Sequence, residues 1–253
     1  MLPRIFTRAD GRDRIAVPFW NGLLSSIAAV AIVTVALFVA MIVILIAVIL
    51  ATGNMPSLNS GHPVVAVSET IAYALTGWFA WSRLRATGLR PFRPFTYRDL
   101  RVILIGLAAL FLARIGTGVQ LTLTHQTSHV QSGFEHFDVV TNVPAMTIVG
   151  IGLATATMVL LAPVVEEIVF RGLLFGALAP RLGVLASALI TALLFGGVHG
   201  DLVLFPLLAA LGFVNALAYA ATGNLWVPIT VHALNNAIGA IYLIATSLQS
   251  YKM

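Results

Sequence analysis

The chain has 253 residues, of which 59% are hydrophobic and only 9% charged, with a mean hydropathy of +0.99. This balance excludes a water-soluble globular domain and predicts a polytopic helical membrane protein. Cys is absent, which excludes disulfides, Cys-ligated zinc and a thiol nucleophile, and the net charge of +5 comes from Arg clusters typical of topology determinants and lipid-headgroup contacts, not of a nucleic-acid surface.

Seven charge-poor segments predict membrane spans. The first is free of charge for about 33 residues, roughly 50 Å as a helix, so it must tilt or begin at the interface. Two spans separate the two Arg clusters, and both clusters are therefore expected on the cytoplasmic side. The predicted spans cover residues 20–52, 64–81, 102–124, 143–179, 184–199, 202–222 and 226–248.

The fourth segment is too long for one straight span. Pro163 is expected to kink it or to divide it, and division would give eight spans instead of seven. The predicted fold is an all-α transmembrane helical bundle with three parts. These are a cytoplasmic tail at residues 1–19, amino-terminal helices and loops at 20–142, and a core at 143–248.

The location follows from the same patterns. The tail is not expected to be a cleaved signal peptide, because the apolar run after it is too long for one. We expect an integral, multi-pass protein with a cytoplasmic amino terminus. The excess of Arg over Lys is typical of GC-rich microbial genomes, which favours a microbial cell membrane.

A few charged or polar groups lie outside the core. Glu69 in the second span and Arg114 in the third could pair with each other or extend towards the interface. The segment 125–142 has no Lys or Arg and is expected to be an external loop. A solvated loop explains its three His and two acids better than a metal site does, because their spacing shows no helical pattern. Those five residues are His125, His129, Glu135, His136 and Asp138.

Adjacent carboxylates in an apolar run are the first functional signal. Glu166 and Glu167 lie in the sequence APVVEEIVFRGLLFGAL, with Arg171 four positions after Glu167. The i, i+4 spacing puts Glu167 and Arg171 on one helical face, so a structural ion pair accounts for them. Glu166 points about 100° away from Glu167 and has no such partner. A second buried carboxylate in a membrane span is a functional candidate.

Three more polar side chains in the last spans are candidates for the same site. If the helices before and after residues 180–183 are antiparallel, Glu166 and His199 differ in height by only about 3 Å. His232 and Asn236 share one face of the last helix, because they are four residues apart. However, counting from the end of the bundle that contains Arg181, straight helices place His232 roughly 10 Å deep and Glu166 roughly 20 Å deep.

These residues form three motifs of a known family. EEIVFR matches EExxxR, FGGVH matches FxxxH, and HALNN matches HxxxN, in this order. Over about residues 160–240 the chain resembles the CPBP family, the CAAX-protease and bacteriocin-processing (Abi) intramembrane endopeptidases. The three motifs together are strongly specific, although each is weak alone.

The resemblance implies an all-helical intramembrane endopeptidase of the glutamic type, without metal or other cofactor. Glu166 would activate the hydrolytic water, helped by His199. His232 and Asn236 would form the oxyanion hole, and Glu167 and Arg171 would support the site. The implied partners are a membrane-associated protein or peptide substrate and the lipid bilayer.

Two other functions fit some of the same residues. A zinc-dependent membrane peptidase could use two Glu and two His as ligands, although neither HExxH nor any His pair at i, i+4 is present. A non-catalytic immunity, scaffold or transport protein could use the buried charges to bind a partner or an ion. Against transport, no paired interrupted spans divide the chain into two halves.

Overall fold

The computed structural model describes residues 17–53, 63–126 and 144–250, and in these ranges the chain forms seven helices. The fourth helix contains two π-helical segments and is otherwise α-helical. The helices are α1 Phe19–Thr52, α2 Pro63–Ala86, α3 Tyr97–Leu123, α4 at residues 144–182, α5 Val184–Val198, α6 Phe205–Thr222 and α7 Trp226–Ser250.

The predicted all-α membrane bundle is confirmed within the described ranges. Five helical segments are long and apolar enough to cross a bilayer, and Val184–Val198 is a shorter apolar helix of 15 residues. The five are Phe19–Thr52, Pro63–Ala86, Tyr97–Leu123, Val149–Leu182 and Phe205–Thr222. The three-part division stays a prediction, and residues 1–16 and 127–143 lie outside the described ranges, as do His129, Glu135, His136 and Asp138.

Pro163 does not divide α4, so the alternative of eight spans is wrong. The helix is irregular instead through its π segments, Thr157–Leu161 and Ile168–Phe175, which flank a short α-helical segment at Ala162–Glu167. Pro163 lies in the first turn of that short segment, where its missing N–H is tolerated. In a π turn the backbone carbonyl of residue i bonds to the N–H of residue i+5, instead of i+4 as in an α-helix. The hydrogen-bond pattern of α4 therefore changes just before the proline.

Helix α4 lies at the centre of the bundle. It packs against α1, α2, α5, α6 and α7, and every residue from 168 to 179 is buried. A helix that is buried on all sides must be apolar all round, as this stretch is apart from Arg171. Glu166 and Glu167 therefore lie directly before a stretch of α4 that is buried throughout.

Most of the described Arg side chains lie at one end of the bundle. Nε of Arg83 donates to Oγ of Ser25, 3.1 Å away, which joins the end of α2 to the start of α1. The guanidinium of Arg181 lies 4.2 Å from the ring centre of Phe19, so the end of α4 is there too. The N–H of Leu225 bonds to the carbonyl of Pro91 and brings the α6–α7 turn to the same end.

The two isolated charges in the amino-terminal spans do not pair with each other. Arg114 on α3 donates instead to Asn235 on α7. Within the described residues, Glu69 has no hydrogen bond or ion pair. Arg114 is half-buried between helices, because α3 packs against both α6 and α7.

Candidate active site

Oε1 of Glu167 accepts hydrogen bonds from three other side chains. The donors are Nη1 of Arg171 at 3.1 Å, Nδ2 of Asn215 at 2.9 Å and Nδ1 of His232 at 2.8 Å. Because they lie on α4, α6 and α7, one carboxylate joins three helices. Glu167 is fully buried, so these contacts replace the water that a carboxylate would otherwise bind.

The ion pair expected between Glu167 and Arg171 is present. Besides the Nη1 contact, Nε of Arg171 lies 3.1 Å from Oε2 of Glu167, so the guanidinium faces both carboxylate oxygens. Nη2 donates to the carbonyl of Gly212 at 2.9 Å. The guanidinium carbon also lies 4.8 Å from the ring centre of Phe195. Arg171 is thus a fully buried cation that links α4, α5 and α6.

Glu166 points away from this cluster, into a cavity. The cavity has a volume of about 170 Å³ and lies between α1, α2, α4 and α5. Oε1 of Glu166 accepts a 2.8 Å hydrogen bond from the hydroxyl of Tyr73. The side chain of Glu166 is 14% exposed, whereas that of Glu167 is 0% exposed. The two adjacent carboxylates therefore have different surroundings, one enclosed and one open to a cavity.

His232 contacts both carboxylates. Its Nδ1 lies 2.8 Å from Oε1 of Glu167, and its Nε2 lies 3.7 Å from Oε2 of Glu166. Because an ionised carboxylate can only accept, the first contact requires a proton on Nδ1. The depth mismatch counted from straight helices does not separate these groups. Eight π-helical residues, Ile168–Phe175, lie between Glu166 and the Arg181 end, and a π turn uses more residues for the same length.

His199 lines the same cavity as Glu166. Its Nδ1 lies 2.7 Å from the carbonyl oxygen of Phe195, one turn earlier on α5, and so carries the proton of that bond. In the neutral ring, Nε2 then has a free lone pair. The similar depths of Glu166 and His199, counted from the turn between α4 and α5, agree with their shared cavity.

Asn236 lies one turn after His232 on α7, about 6 Å further along the helix axis. Its Nδ2 donates to the carbonyl of Met158 at 3.0 Å, and its Oδ1 accepts from Nδ2 of Asn235 at 3.3 Å. Met158 belongs to the first π segment of α4, so Asn236 faces the same helix as the carboxylates. It is not among the residues that line the cavity.

Four side chains around the candidate residues make contacts that sequence analysis did not predict. Asn215 is the only amide in α6, and a lone buried amide in a span would have been a sufficient signal. Tyr73 carries no such signal, because tyrosine is common near membrane interfaces. Asn235 was given no role, and Glu69 was the partner considered for Arg114, yet Arg114 and Asn235 bond to each other.

A metal site would need three or four ligand side chains close together. No group of three or more His, Asp or Glu side chains in those ranges is arranged to hold a metal ion. The fold and these contacts define a helical integral membrane protein with a buried Glu–Arg–His–Asn cluster beside a cavity.

The carboxyl-terminal core of this chain is similar to known proteins. Residues 148–238 match the family described as "Type II CAAX prenyl endopeptidase Rce1-like". The chain is 33% identical over 143 residues to "Putative membrane peptidase YdiL" of Bacillus subtilis (strain 168), an alignment that covers 55% of each chain. Over this carboxyl-terminal core the chain is similar to CAAX-type membrane peptidases, the class that the CPBP family comprises.

A second relative is similar to a shorter part of the chain. The "Membrane-embedded CAAX protease MroQ" of Staphylococcus aureus (strain USA300) is 30% identical over 89 residues, which is 33% of this chain and 36% of the relative. The chain therefore aligns with about half, or about a third, of the length of these relatives. No solved structure matches the chain.

Proposed function

We propose that this protein is an intramembrane endopeptidase that hydrolyses a peptide bond in a membrane-associated protein or peptide. The observation that carries the proposal is the contrast between the adjacent carboxylates. Glu167 is enclosed by three donors, whereas Glu166 opens onto a cavity that His199 also lines. A carboxylate at the wall of a cavity can take a proton from a water molecule bound there.

The first step is the activation of that water. Glu166 accepts one of its protons, while the lone pair on Nε2 of His199 orients it or shares the proton. The water oxygen then bonds to the carbonyl carbon of the substrate, and the carbonyl π electrons move to its oxygen. Return of the proton from Glu166 to the nitrogen lets the C–N bond break, which yields a carboxylate and an amine.

The second requirement is a set of donors for the negative oxygen of the tetrahedral intermediate. We assign them as Nε2 of His232 and Nδ2 of Asn236, each worth about 3–4 kcal/mol when well placed. Since Nδ1 of His232 already donates to Glu167, Nε2 can donate only from the doubly protonated ring. In that form the charges of Glu166, Glu167, Arg171 and His232 sum to zero.

Glu167 and Arg171 serve the reaction indirectly. Their ion pair fixes the ring of His232 through Oε1 of Glu167, and Asn215 holds that oxygen from the other side. A catalytic group that is held by bonds to its neighbours keeps its productive geometry without reorganisation. These three residues therefore position the site but do not react with the substrate.

The cavity favours a substrate with an apolar segment. Its α1 wall contributes three apolar side chains, those of Ala29, Val30 and Val33. A volume of about 170 Å³ is similar to the roughly 150 Å³ that holds one benzene. The site would therefore enclose one or two apolar side chains beside the scissile bond, while the anchor of the substrate stays in lipid. A prenylated tail, a bacteriocin or pheromone leader, and a membrane-anchored regulator all remain within this class.

The proposal is tested by comparing protein termini in host membranes between the wild type and a chromosomal Glu166→Gln variant at equal expression. We expect at least one terminus that is present with the wild type and absent with the variant. The matched control is Glu69→Gln, which changes another membrane-embedded carboxylate and should keep that terminus. Identical termini for wild type and Glu166→Gln under several growth conditions would overturn the peptidase assignment in favour of partner or ion binding.

A further inference from the structure

Arg114 is the start of a chain of hydrogen bonds that ends at a proposed oxyanion donor. Its Nη2 donates to the backbone carbonyl of Asn235 at 2.8 Å and to Oδ1 of Asn235 at 2.9 Å, and its Nε reaches the same Oδ1 at 3.2 Å. A guanidinium has only donors. The side-chain oxygen of Asn235 must therefore be the atom that faces Arg114.

This contact determines where the other end of the Asn235 amide points. Nδ2 of Asn235 lies 3.3 Å from Oδ1 of Asn236 and donates to it. If the Asn235 amide rotated by 180°, its NH₂ group would face the Arg114 donors and its oxygen would face the oxygen of Asn236. Both new contacts would be repulsive, so Arg114 selects one of the two amide orientations.

The selection extends to Asn236. Because its Oδ1 is held by Asn235, its Nδ2 is turned to the other side, where it donates to the carbonyl of Met158 at 3.0 Å. That bond uses one of its two N–H groups, and the second can donate elsewhere. Met158 lies in the π segment Thr157–Leu161, on the helix that carries Glu166.

We propose that Arg114 and Asn235 are positioning residues that fix the amide of Asn236, so that its N–H edge and not its carbonyl edge is offered to the oxyanion. The inference rests on the proposed function, in which Asn236 stabilises the tetrahedral intermediate. A carbonyl oxygen at that place would repel the developing negative charge, so the wrong orientation would remove a donor and add a repulsion.

The alternative is that the contact between Arg114 and Asn235 only holds α3 and α7 together. The Asn235→Asp variant distinguishes this structural role from the positioning role. The Asp carboxylate keeps both acceptor contacts with Arg114 and adds opposite charge, so the contact between α3 and α7 is preserved. However, it has no N–H to give to Oδ1 of Asn236, and the two oxygens repel each other. A purely structural contact between the helices would survive this substitution, whereas the orientation of the Asn236 amide would not.

The kinetic test uses the full chain in lipid nanodiscs and the membrane protein identified by the terminus comparison. Loss of one oxyanion donor lowers kcat by about 10²–10³ in other hydrolases. We expect Asn235→Asp to lower kcat at least about tenfold, with KM and the melting temperature near wild type. Arg114→Met should lower kcat similarly, and Arg114→Lys should retain more activity because it still donates to Asn235.

The decisive comparison places Asn235→Asp in an Asn236→Ala background. If Asn235 acts only through Asn236, the second substitution has no further effect on kcat. Full activity of Asn235→Asp, or an equal loss in both backgrounds, would overturn the positioning role while the peptidase assignment stands. An undiminished Asn236→Ala variant would instead remove Asn236 from the oxyanion hole and the positioning role with it.

A structural measurement gives a readout that does not depend on catalysis. In an experimental structure of the Asn235→Asp variant, we expect the Asn236 side chain to leave the Met158 carbonyl, with their separation exceeding 3.5 Å. Arg114 should stay in contact with residue 235. If Asn236 keeps its 3.0 Å bond to Met158 in the variant, its orientation does not depend on Asn235 and the inference is wrong.

Discussion

The hydroxyl of Tyr73 donates a 2.8 Å hydrogen bond to Oε1 of Glu166, across the interface of α2 and α4. The bond leaves Oε2 as the oxygen that faces His232, 3.7 Å away. A residue of the amino-terminal spans thus bonds to a carboxylate of the segment 148–238 that matches the family model. Oε1 of Glu166 is bonded to Tyr73, which also lines the cavity, and Oε2 can accept a hydrogen bond from a water molecule there.

We therefore expect Tyr73→Phe to lower kcat about tenfold, which corresponds to about 1.4 kcal/mol, because the carboxylate loses its fixed orientation. The rate of formation of the Glu166-dependent terminus measures this. Tyr219→Phe is the matched control, since Tyr219 is fully buried and its hydroxyl has no hydrogen-bond partner among the described residues. Equal rates for both variants would contradict the role of Tyr73.

The buried ion pair should affect stability more than Glu166 does. Glu167→Gln leaves Arg171 as an unpaired buried cation, and Arg171→Met leaves Glu167 with fewer donors. Each is expected to destabilise the protein by about 3–5 kcal/mol, and the double variant by less than the sum. Unfolding of the detergent-solubilised protein measures this. Glu166→Gln should unfold close to wild type, and a large loss of stability there would show that Glu166 is also structural.

The close approach of α5 and α6 depends on Gly212. A Cβ at this position would lie 2.8 Å from Cα of Ala192, so Gly212→Ala must push the helices apart. The carbonyl that Arg171 binds would move as well. We expect a loss of about 1–3 kcal/mol in stability. Gly118→Ala on α3, where a Cβ would meet nothing within 4 Å, should be neutral or slightly stabilising, and equal effects would contradict this account.

Chelation distinguishes the glutamic mechanism from the zinc alternative. The oxygen Oε1 of Glu167 is already bound by three side-chain donors and is poorly available to a metal. We expect activity to survive prolonged dialysis against a chelator, with metal content far below one per chain. Stoichiometric zinc whose removal abolishes cleavage, and whose return restores it, would replace the glutamic mechanism with a metal-dependent one.

The orientation of the bundle can be measured directly, because the chain has no Cys of its own. Positive residues favour the cytoplasmic side, so the Arg-rich end is expected there. A membrane-impermeant thiol reagent on intact cells should label Gln126→Cys and not Ala86→Cys, both exposed positions at opposite ends. Labelling of Ala86→Cys alone would reverse the proposed orientation.

Sequence patterns were sufficient for the spans and for the local ion pair. Apolar length defined the helices to within a few residues, and the i, i+4 spacing gave the bond between Glu167 and Arg171. Both depend only on helix geometry, which acts over short stretches of chain. Contacts of this kind need no knowledge of how helices pack.

Contacts between distant helices could not be predicted in the same way. Tyr73 and Arg114 each bond to a residue more than 90 positions away, and their own segments contain no pattern that identifies those partners. The depth of His232 relative to Glu166 was misjudged because straight, regular helices were assumed, and the π turns of α4 account for part of the difference. The roles in hydrolysis of Glu166, His199, His232 and Asn236 stay predictions.

In each π segment of α4, one backbone carbonyl is contacted by a polar side chain of another helix. The carbonyl of Met158 accepts a 3.0 Å bond from Nδ2 of Asn236 on α7, whereas that of Val169 lies 3.4 Å from Oγ of Ser26 on α1, which also donates to the carbonyl of Gly22 at 2.8 Å. These two contacts lie on either side of the carboxylate pair. The shorter of the two bonds is on the α7 side. If a peptide enters the cavity, we therefore expect α1 to move more than α7, while Glu166 keeps its position.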